Sequence, residues 1–178
     1  LLYALEKYGT LSREQVLAPA IALAAQGLAV SFGLSYEINA GAEQLRKNPA
    51  AARLFFRADG SPYVMGDIWQ QPDLAWTLEQ ISAGGKNGFY TGEVARRITA
   101  EMDAAGGLIT ASDLAGYRVI EREPVRGTYR DFDIVSTPPP SSGGVHIVQM
   151  LNILEGFDLQ GMGHNSAAYL HYLTESMK

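Results

Sequence analysis

Tyr117-Arg118-Val119-Ile120-Glu121-Arg122-Glu123, then Pro124, then Val125 to Thr137 form the stretch on which the reading of the fold turns. Both runs are rich in Val, Ile, Tyr, Phe and Thr with charges interleaved, a composition that suits half-buried strands. Both are therefore expected as strands, with Pro124 confined to an edge or a connection because it has no N–H to give to a ladder. Pro138-Pro139-Pro140 halts the second run in extended form, and Ser141-Ser142-Gly143-Gly144 leads into Val145 to Glu155. Val145, Val148 and Leu151 share one helical face with Asn152 and Glu155. Ile147, Met150, Ile153 and Leu154 make the helix apolar over most of its circumference, which predicts packing inside a core. Gly156 ends it, and a last helix starts near Ser166.

Upstream of Gly106 the pattern is helical. Ser12-Arg13-Glu14-Gln15 has the form of a capping box, and Val16, Leu17, Ala20, Ile21, Leu23 and Ala24 follow it, with Pro19 a kink candidate and Gly27 a stop. Leu34, Ile38, Ala42 and Leu45 recur at helical spacing and stop before Pro49. Pro72 stands where a first helical residue would, ahead of Leu74, Leu78 and Ile81, with Gly84-Gly85 as the stop. Thr91 is positioned to cap a helix carrying Val94, Ile98, Met102 and Ala105, closed by Gly106-Gly107. Thr110-Ala111-Ser112-Asp113 caps one further turn. The organisation predicted is α+β, with residues 1–107 a helical lobe and residues 108–178 strands and helices of a second part.

Composition sets outer bounds. A chain of 178 residues with 47% hydrophobic and 19% charged residues is ordinary for a globular protein, and by length alone it buries roughly 70% of its unfolded surface. The net charge of −5 supplies no field for phosphate backbones or anionic lipid, so nucleic acid is not an expected partner. The absence of Cys excludes disulfides, thiolate metal sites and a cysteine nucleophile. No apolar run reaches the ~18 residues of a membrane span. The first residue is not Met and the closing helical pattern lacks a stop signal, so the chain reads as an excerpt of a longer protein.

Several segments invite a chemical reading. Pro138 to Val145 has a strand, a rigid turn, two hydroxyls and two glycines before a helix, a form that presents backbone N–H groups to an anion or a developing oxyanion. The same residues also serve as a plain strand-to-helix turn, with Ser141 or Ser142 capping. Neither this segment nor Gly84-Gly85-Lys86-Asn87-Gly88 is a phosphate loop, because the Lys and Ser/Thr that should follow the glycines are missing. Ser141, His146 and Asp131 supply the residue types of a triad without a nucleophile elbow. His171 and Glu175 stand four apart on one face, a metal-ligand spacing that a surface ion pair explains equally well. His164 has no such partner. The aromatic residues Phe55-Phe56, Trp69, Trp76 and Phe89-Tyr90 read as core rather than as a base-stacking platform. From the residues alone no catalytic centre is visible.

Taken in order, many of these segments resemble the large subunit of gamma-glutamyltranspeptidases. The resemblance is carried by Val16 to Ala24 with Gly27 and Val30-Ser31, and by Gln71-Pro72-Asp73-Leu74-Ala75 with Thr77-Leu78. It continues through Gly88-Phe89-Tyr90-Thr91-Gly92, Gly106-Gly107 with Ile109-Thr110, Asp113-Leu114-Ala115, and Tyr117 with Arg122, Pro124, Tyr129 and Arg130. The most specific part is Pro138 to Gly144 with Gln149 to Glu155. The resemblance implies a helix-rich fragment of the αββα sandwich of N-terminal-nucleophile hydrolases. It implies a precursor that cleaves itself into two subunits, the new N-terminal Thr of the small subunit being the nucleophile. That enzyme takes a gamma-glutamyl group from glutathione or a related amide and passes it to water, an amino acid or a peptide, without metal or organic cofactor.

The family's Thr lies C-terminal to this segment, its carboxylate-gripping Arg lies N-terminal, and its oxyanion glycines belong to the small subunit. No catalytic, cofactor-binding or metal residue is therefore expected among these 178, and Gly143-Gly144 is not that hole. The implied partner is the small subunit of the same precursor, and the implied location is periplasmic or secreted. The isolated chain is expected to be inactive, and either to self-associate through uncovered apolar surface or to be only marginally stable. A related amidase (beta-lactam acylase or capsule transpeptidase) and a non-enzymatic interaction module are the alternatives.

Overall fold

The structure, a computed structural model, describes residues 1–178. The chain forms two compact units, Leu1–Arg118 and Val119–Lys178. The first unit contains α1 (Leu2–Tyr8), α2 (Arg13–Gln26), β1 (Leu28–Ala29), α3 (Phe32–Ala40), α4 (Ala42–Lys47), α5 (Pro49–Phe55), β2 (Ile68–Trp69), α6 (Pro72–Tyr90), α7 (Glu93–Ala105) and α8 (Ala111–Gly116). The second contains β3 (Val125–Tyr129), β4 (Phe132–Ser136), α9 (Gly143–Glu155) and α10 (Ala167–Ser176). No helix is long and apolar enough to cross a membrane.

In the first unit α2 packs along α6, and α6 along α7. Ser12 and Gln15 form the reciprocal capping box at the start of α2, which runs through Pro19 to a stop at Gly27 (φ 88°). The run expected as one helix before Pro49 is two, because the chain breaks at Gly41. A third helix, α5, starts at Pro49 itself, with the Asn48 side chain accepting from Ala50 and Ala51 N–H. At Gly84-Gly85 the helix breaks as expected but resumes to Tyr90: Gly85 is non-helical (φ 58°, ψ −141°). The break is held by Arg13, whose Nε donates to the Ser82 carbonyl at 2.7 Å and Nη2 to the Ala83 carbonyl at 3.2 Å. Carbonyls that lost their helical partners are thereby satisfied by a guanidinium from the neighbouring helix.

Two-residue pairing of β1 with β2 (Leu28↔Trp69) closes the unit's other end. There Val30 is buried and its N–H donates to the Asp67 carbonyl. Gly92, not Thr91, is the N-cap of α7; the Thr91 hydroxyl is already donating to the Asn87 carbonyl of the preceding helix. Gly106 ends α7 in the left-handed region, and Thr110 caps α8 with Asp113. Because α8 packs on α7 and Tyr117 stacks on Tyr90 (centroids 5.0 Å), both lie in the first unit, beyond residue 107.

In the second unit β3 and β4 form an antiparallel hairpin, from Val125↔Ser136 to Tyr129↔Phe132, and α9 lies over β3. A Cβ at Gly127 would sit 2.5 Å from Val148 Cγ1, so only glycine permits this approach. Phe157 lies tilted against Tyr172, ring centroids 4.2 Å apart, where α10 meets α9. Two expectations fail here. Residues 117–123 carry a strand's composition but belong to no strand: neither two-stranded sheet includes them. Nor is α9 enclosed: Gly144 and Leu154 are buried, but Val145, Ile147 and Ile153 are 43–44% exposed.

The chain exposes 12456 Å². Two separate compact bodies of these sizes would expose about 10,000 Å². The burial expected from length is not reached, because apolar faces remain uncovered.

Gly85→Ala is expected to destabilise the chain by about 1–3 kcal/mol, since alanine strains that backbone and its Cβ meets Arg13. Gly84→Ala, with nothing within 4 Å of the added methyl, is expected to be neutral to slightly stabilising. Urea unfolding of both variants checks the contrast; equal effects would contradict it.

Candidate functional site

The turn from Pro138 to Val145 is built by its two ends. Ile134 and Ser136 of β4 are half-buried, and α9 starts at Gly143. Between them the Pro139–Pro140 bond is cis. Gly144 is buried, and a Cβ there would strike the Thr137 carbonyl and lie 3.1 Å from the Ser136 side chain. Ser142 is the N-cap residue but has helical φ/ψ (−79°, −17°) and makes no side-chain cap bond. Instead the Ser141 hydroxyl accepts from Gly143 N–H at 3.3 Å, and the Ser142 carbonyl accepts from His146 N–H at 3.0 Å. Of the two readings of this segment, the geometry supports the strand-to-helix turn, with the Ser141 hydroxyl rather than that of Ser142 bonded at the helix start.

The triad types do not assemble. Ser141 and His146 are exposed near the start of α9, Asp131 is exposed in the hairpin turn, and no hydrogen bond joins any two of them. Glu175 is paired with Lys178 (2.7 Å) rather than aimed with His171 at a common point. His171 lies edge-on to Tyr172, and His164 lies 6.0 Å from the Tyr169 ring. No three His, Asp or Glu residues converge anywhere in the chain.

The aromatic residues form separate groups. Phe55 stacks on Trp69 (5.5 Å), whose Nε1 donates to the Leu54 carbonyl. Phe56 is buried beneath Arg46, Trp76 lies beneath Arg97, and Phe89, Tyr90 and Tyr117 form a third set. Only Phe56 is fully core; the others are half-buried or, in Tyr117, exposed.

The charged groups are structural too. Glu93 accepts from Arg96 (2.5 and 2.6 Å) and from Arg97 (3.0 Å), and these bonds hold its carboxyl down at about 2. The Thr110 hydroxyl and N–H lower Asp113, and the Ser61 hydroxyl and N–H lower Asp59. Each is a cap, a loop lock or a surface ion pair. Arg57 completes the loop lock: it pairs with Asp67 at 3.2 Å and donates to Ser61 Oγ. This network and the Arg13 clamp join residues with no local motif, so neither is legible in the sequence; an Arg near a helix start is the only trace Arg13 leaves.

Comparisons with known proteins supply what the geometry does not. The family model described as gamma-glutamyltranspeptidase matches residues 1–178. The chain is 44% identical to a glutathione hydrolase proenzyme of Pseudomonas sp. (strain A14), over 99% of its own length and 31% of that protein's. It is 45% identical to an acylase ACY 1 proenzyme of Pseudomonas sp. (strain SE83), over 98% of this chain and 31% of that protein. The crystal structure of Helicobacter pylori gamma-glutamyltranspeptidase superposes with a TM-score of 0.96 at 41% identity, over 99% of this chain and 50% of that one. The chain thus spans about a third of the length of the curated relatives it matches.

The Glu93 ion pairs give a pH prediction. A carboxyl lowered from 4.5 to about 2 favours the folded state whenever it is ionised. The stability it contributes is full above about 4.5 and is lost as pH falls through about 2. Glu93→Gln should therefore lower the melting temperature at pH 7, by a gap that narrows from pH 4.5 downward and closes near pH 2. A gap independent of pH in melts across this range would contradict the assignment.

Proposed function

Because the chain belongs to the gamma-glutamyltranspeptidase family, we propose that it is part of an enzyme that transfers or hydrolyses gamma-glutamyl groups. The observation that carries this is the family match across all 178 residues together with 44% identity to a glutathione hydrolase proenzyme. In this reading the donor is glutathione or a related gamma-glutamyl amide, and the acceptor is water, an amino acid or a peptide. The nucleophile is an N-terminal Thr freed by self-cleavage of a precursor, outside these residues; its own amine is a candidate base for the hydroxyl. Attack on the gamma-carbonyl breaks the amide bond, the amine leaving with the proton that the base took from the hydroxyl, and gives an acyl-enzyme. The acceptor then attacks the ester carbonyl, and the Thr oxygen leaves with the acceptor's proton.

This chain's contribution is scaffolding. It belongs to the large subunit, with a helical lobe followed by the hairpin and α9 of the sandwich. Its partner is the small subunit of the same precursor, and it holds no catalytic, cofactor or metal residue of its own. The location is periplasmic or secreted. A related amidase is the second reading, favoured by the 45% identity to an acylase proenzyme.

The 178-residue chain alone is expected to leave a chromogenic gamma-glutamyl anilide unhydrolysed, and Ser141→Ala to change nothing. A precursor reading frame containing it is expected to turn the anilide over faster than a beta-lactam side-chain amide. Turnover by the chain alone that Ser141→Ala abolishes would overturn the scaffold reading. Preference of the precursor for the beta-lactam amide would favour the acylase reading.

A further inference from the structure

We propose that Arg13 is a latch on a helix with two forms: α6 either runs straight through Gly84-Gly85 or reverses there, and the guanidinium selects the reversed form, which seats Tyr90 against Tyr117. The inference rests on contacts inside the first unit and not on the enzymatic reading. The chain is helical on both sides of Gly85, so one residue's φ/ψ (58°, −141°) separates the two forms. The reversal is tight. A Cβ at Gly88 would strike the Gln80 carbonyl, although eight residues of unbroken helix would carry the two about 12 Å apart.

Two carbonyls are contested between the forms. In an unbroken helix the Ser82 and Ala83 carbonyls would accept from the N–H groups of Lys86 and Asn87, four residues on. Here they accept from Arg13 Nε at 2.7 Å and Nη2 at 3.2 Å. Two donors of one planar group stand in for two helical bonds. Without Arg13 the half-buried Ser82 would keep an unpaired carbonyl in the reversed form, and the straight form would satisfy it. Arg13 is, moreover, poorly placed for its own helix. It is the first residue of α2, where the positive end of the helix dipole disfavours a cation. The position is explained by what the side chain reaches on α6.

What the latch sets is the place of an aromatic ring. Tyr90 follows the reversal, lies edge-on to Phe89 and stacks on Tyr117, with centroids 5.0 Å apart and planes 8° from parallel. Tyr117 directly follows α8, which packs on α7. A straight α6 would carry Tyr90 away from that ring. A side chain at residue 13 thus fixes the course of the chain at residue 117.

The test places spin labels at Glu79→Cys and Asn87→Cys, two exposed positions in a chain with no other cysteine. With Arg13 present a short distance between the labels is expected. In Arg13→Ala it should lengthen by several ångströms, toward the ~12 Å rise of a straight helix. Urea midpoints give a second reading. Gly85→Ala should lower the midpoint when Arg13 is present and raise it in the Arg13→Ala background, where alanine joins a straight helix. Removing the clash between the added methyl and Arg13 would by itself only shrink the loss, because alanine at φ 58° stays strained. If Arg13→Ala fails to fold, Arg13→Lys carries the result: a point charge in place of the fork should give both distances in one sample. A short distance unchanged in a folded Arg13 variant overturns the proposal, as does a Gly85→Ala midpoint that falls in both backgrounds. Loss of folding in both Arg13 variants also overturns it, since Arg13 would then hold the unit together rather than select between two forms.

Discussion

At Gly127 the backbone of β3 comes so close to α9 that a single methyl group would lie 2.5 Å from Val148 Cγ1. Gly144 repeats the device at the start of the helix, where a Cβ would strike the Thr137 carbonyl. At the far end the Glu155 carboxylate accepts the Arg130 N–H, closing the hairpin turn onto the last turn of α9. A helix clamped at three points along one side cannot roll. Its face toward β3 is committed to that strand, and Val145, Ile147 and Ile153 are left facing outward although they are as apolar as the residues beneath. The second unit owes both its order and its open surface to the same close approach.

The first unit is held differently. Its buried apolar residues are few and several are small: Ala24 on α2, Ile38 on α3, Ala75 on α6, Val94 and Ala95 on α7, with Val30 after β1 and Phe56 after α5. Alanines let helices approach closely but contribute little transfer energy each, so polar ties carry more of the specificity. Arg13 reaching the Ser82 and Ala83 carbonyls is the clearest of these, since it joins α2 to the break in α6. The Arg57–Asp67 pair does the same for the loop that returns the chain to β2.

What could be read from the residues was what local chemistry decides. The Ser12 and Thr110 capping boxes, the Gly27 and Gly106 stops, and Ser166 at the start of α10 each follow from groups within four residues of one another. Where the outcome depends on something distant, the pattern was insufficient. Residues 117–123 have a strand's composition without a strand's partner, and Leu34 to Leu45 have a helical period that Gly41 interrupts. The apolar girth of α9 predicts a cover that these 178 residues do not provide. The candidate site was legible in a narrower sense. Ser141 to Gly144 presented two readings, and only the hydrogen bond from Gly143 N–H to Ser141 Oγ separates them. The family was legible because its segments recur in order, a kind of signal that no single spacing carries.

These points meet at the edge of β3, where an ordered hairpin ends without a neighbour inside the chain. Residue-resolved amide exchange across β3 tests this most directly. The account predicts that the Gly127 and Tyr129 amides, bonded to β4, are protected. The Arg126 and Thr128 amides, which the register turns away from β4, should exchange much faster. Protection of Arg126 and Thr128 equal to that of Gly127 and Tyr129 would contradict the account.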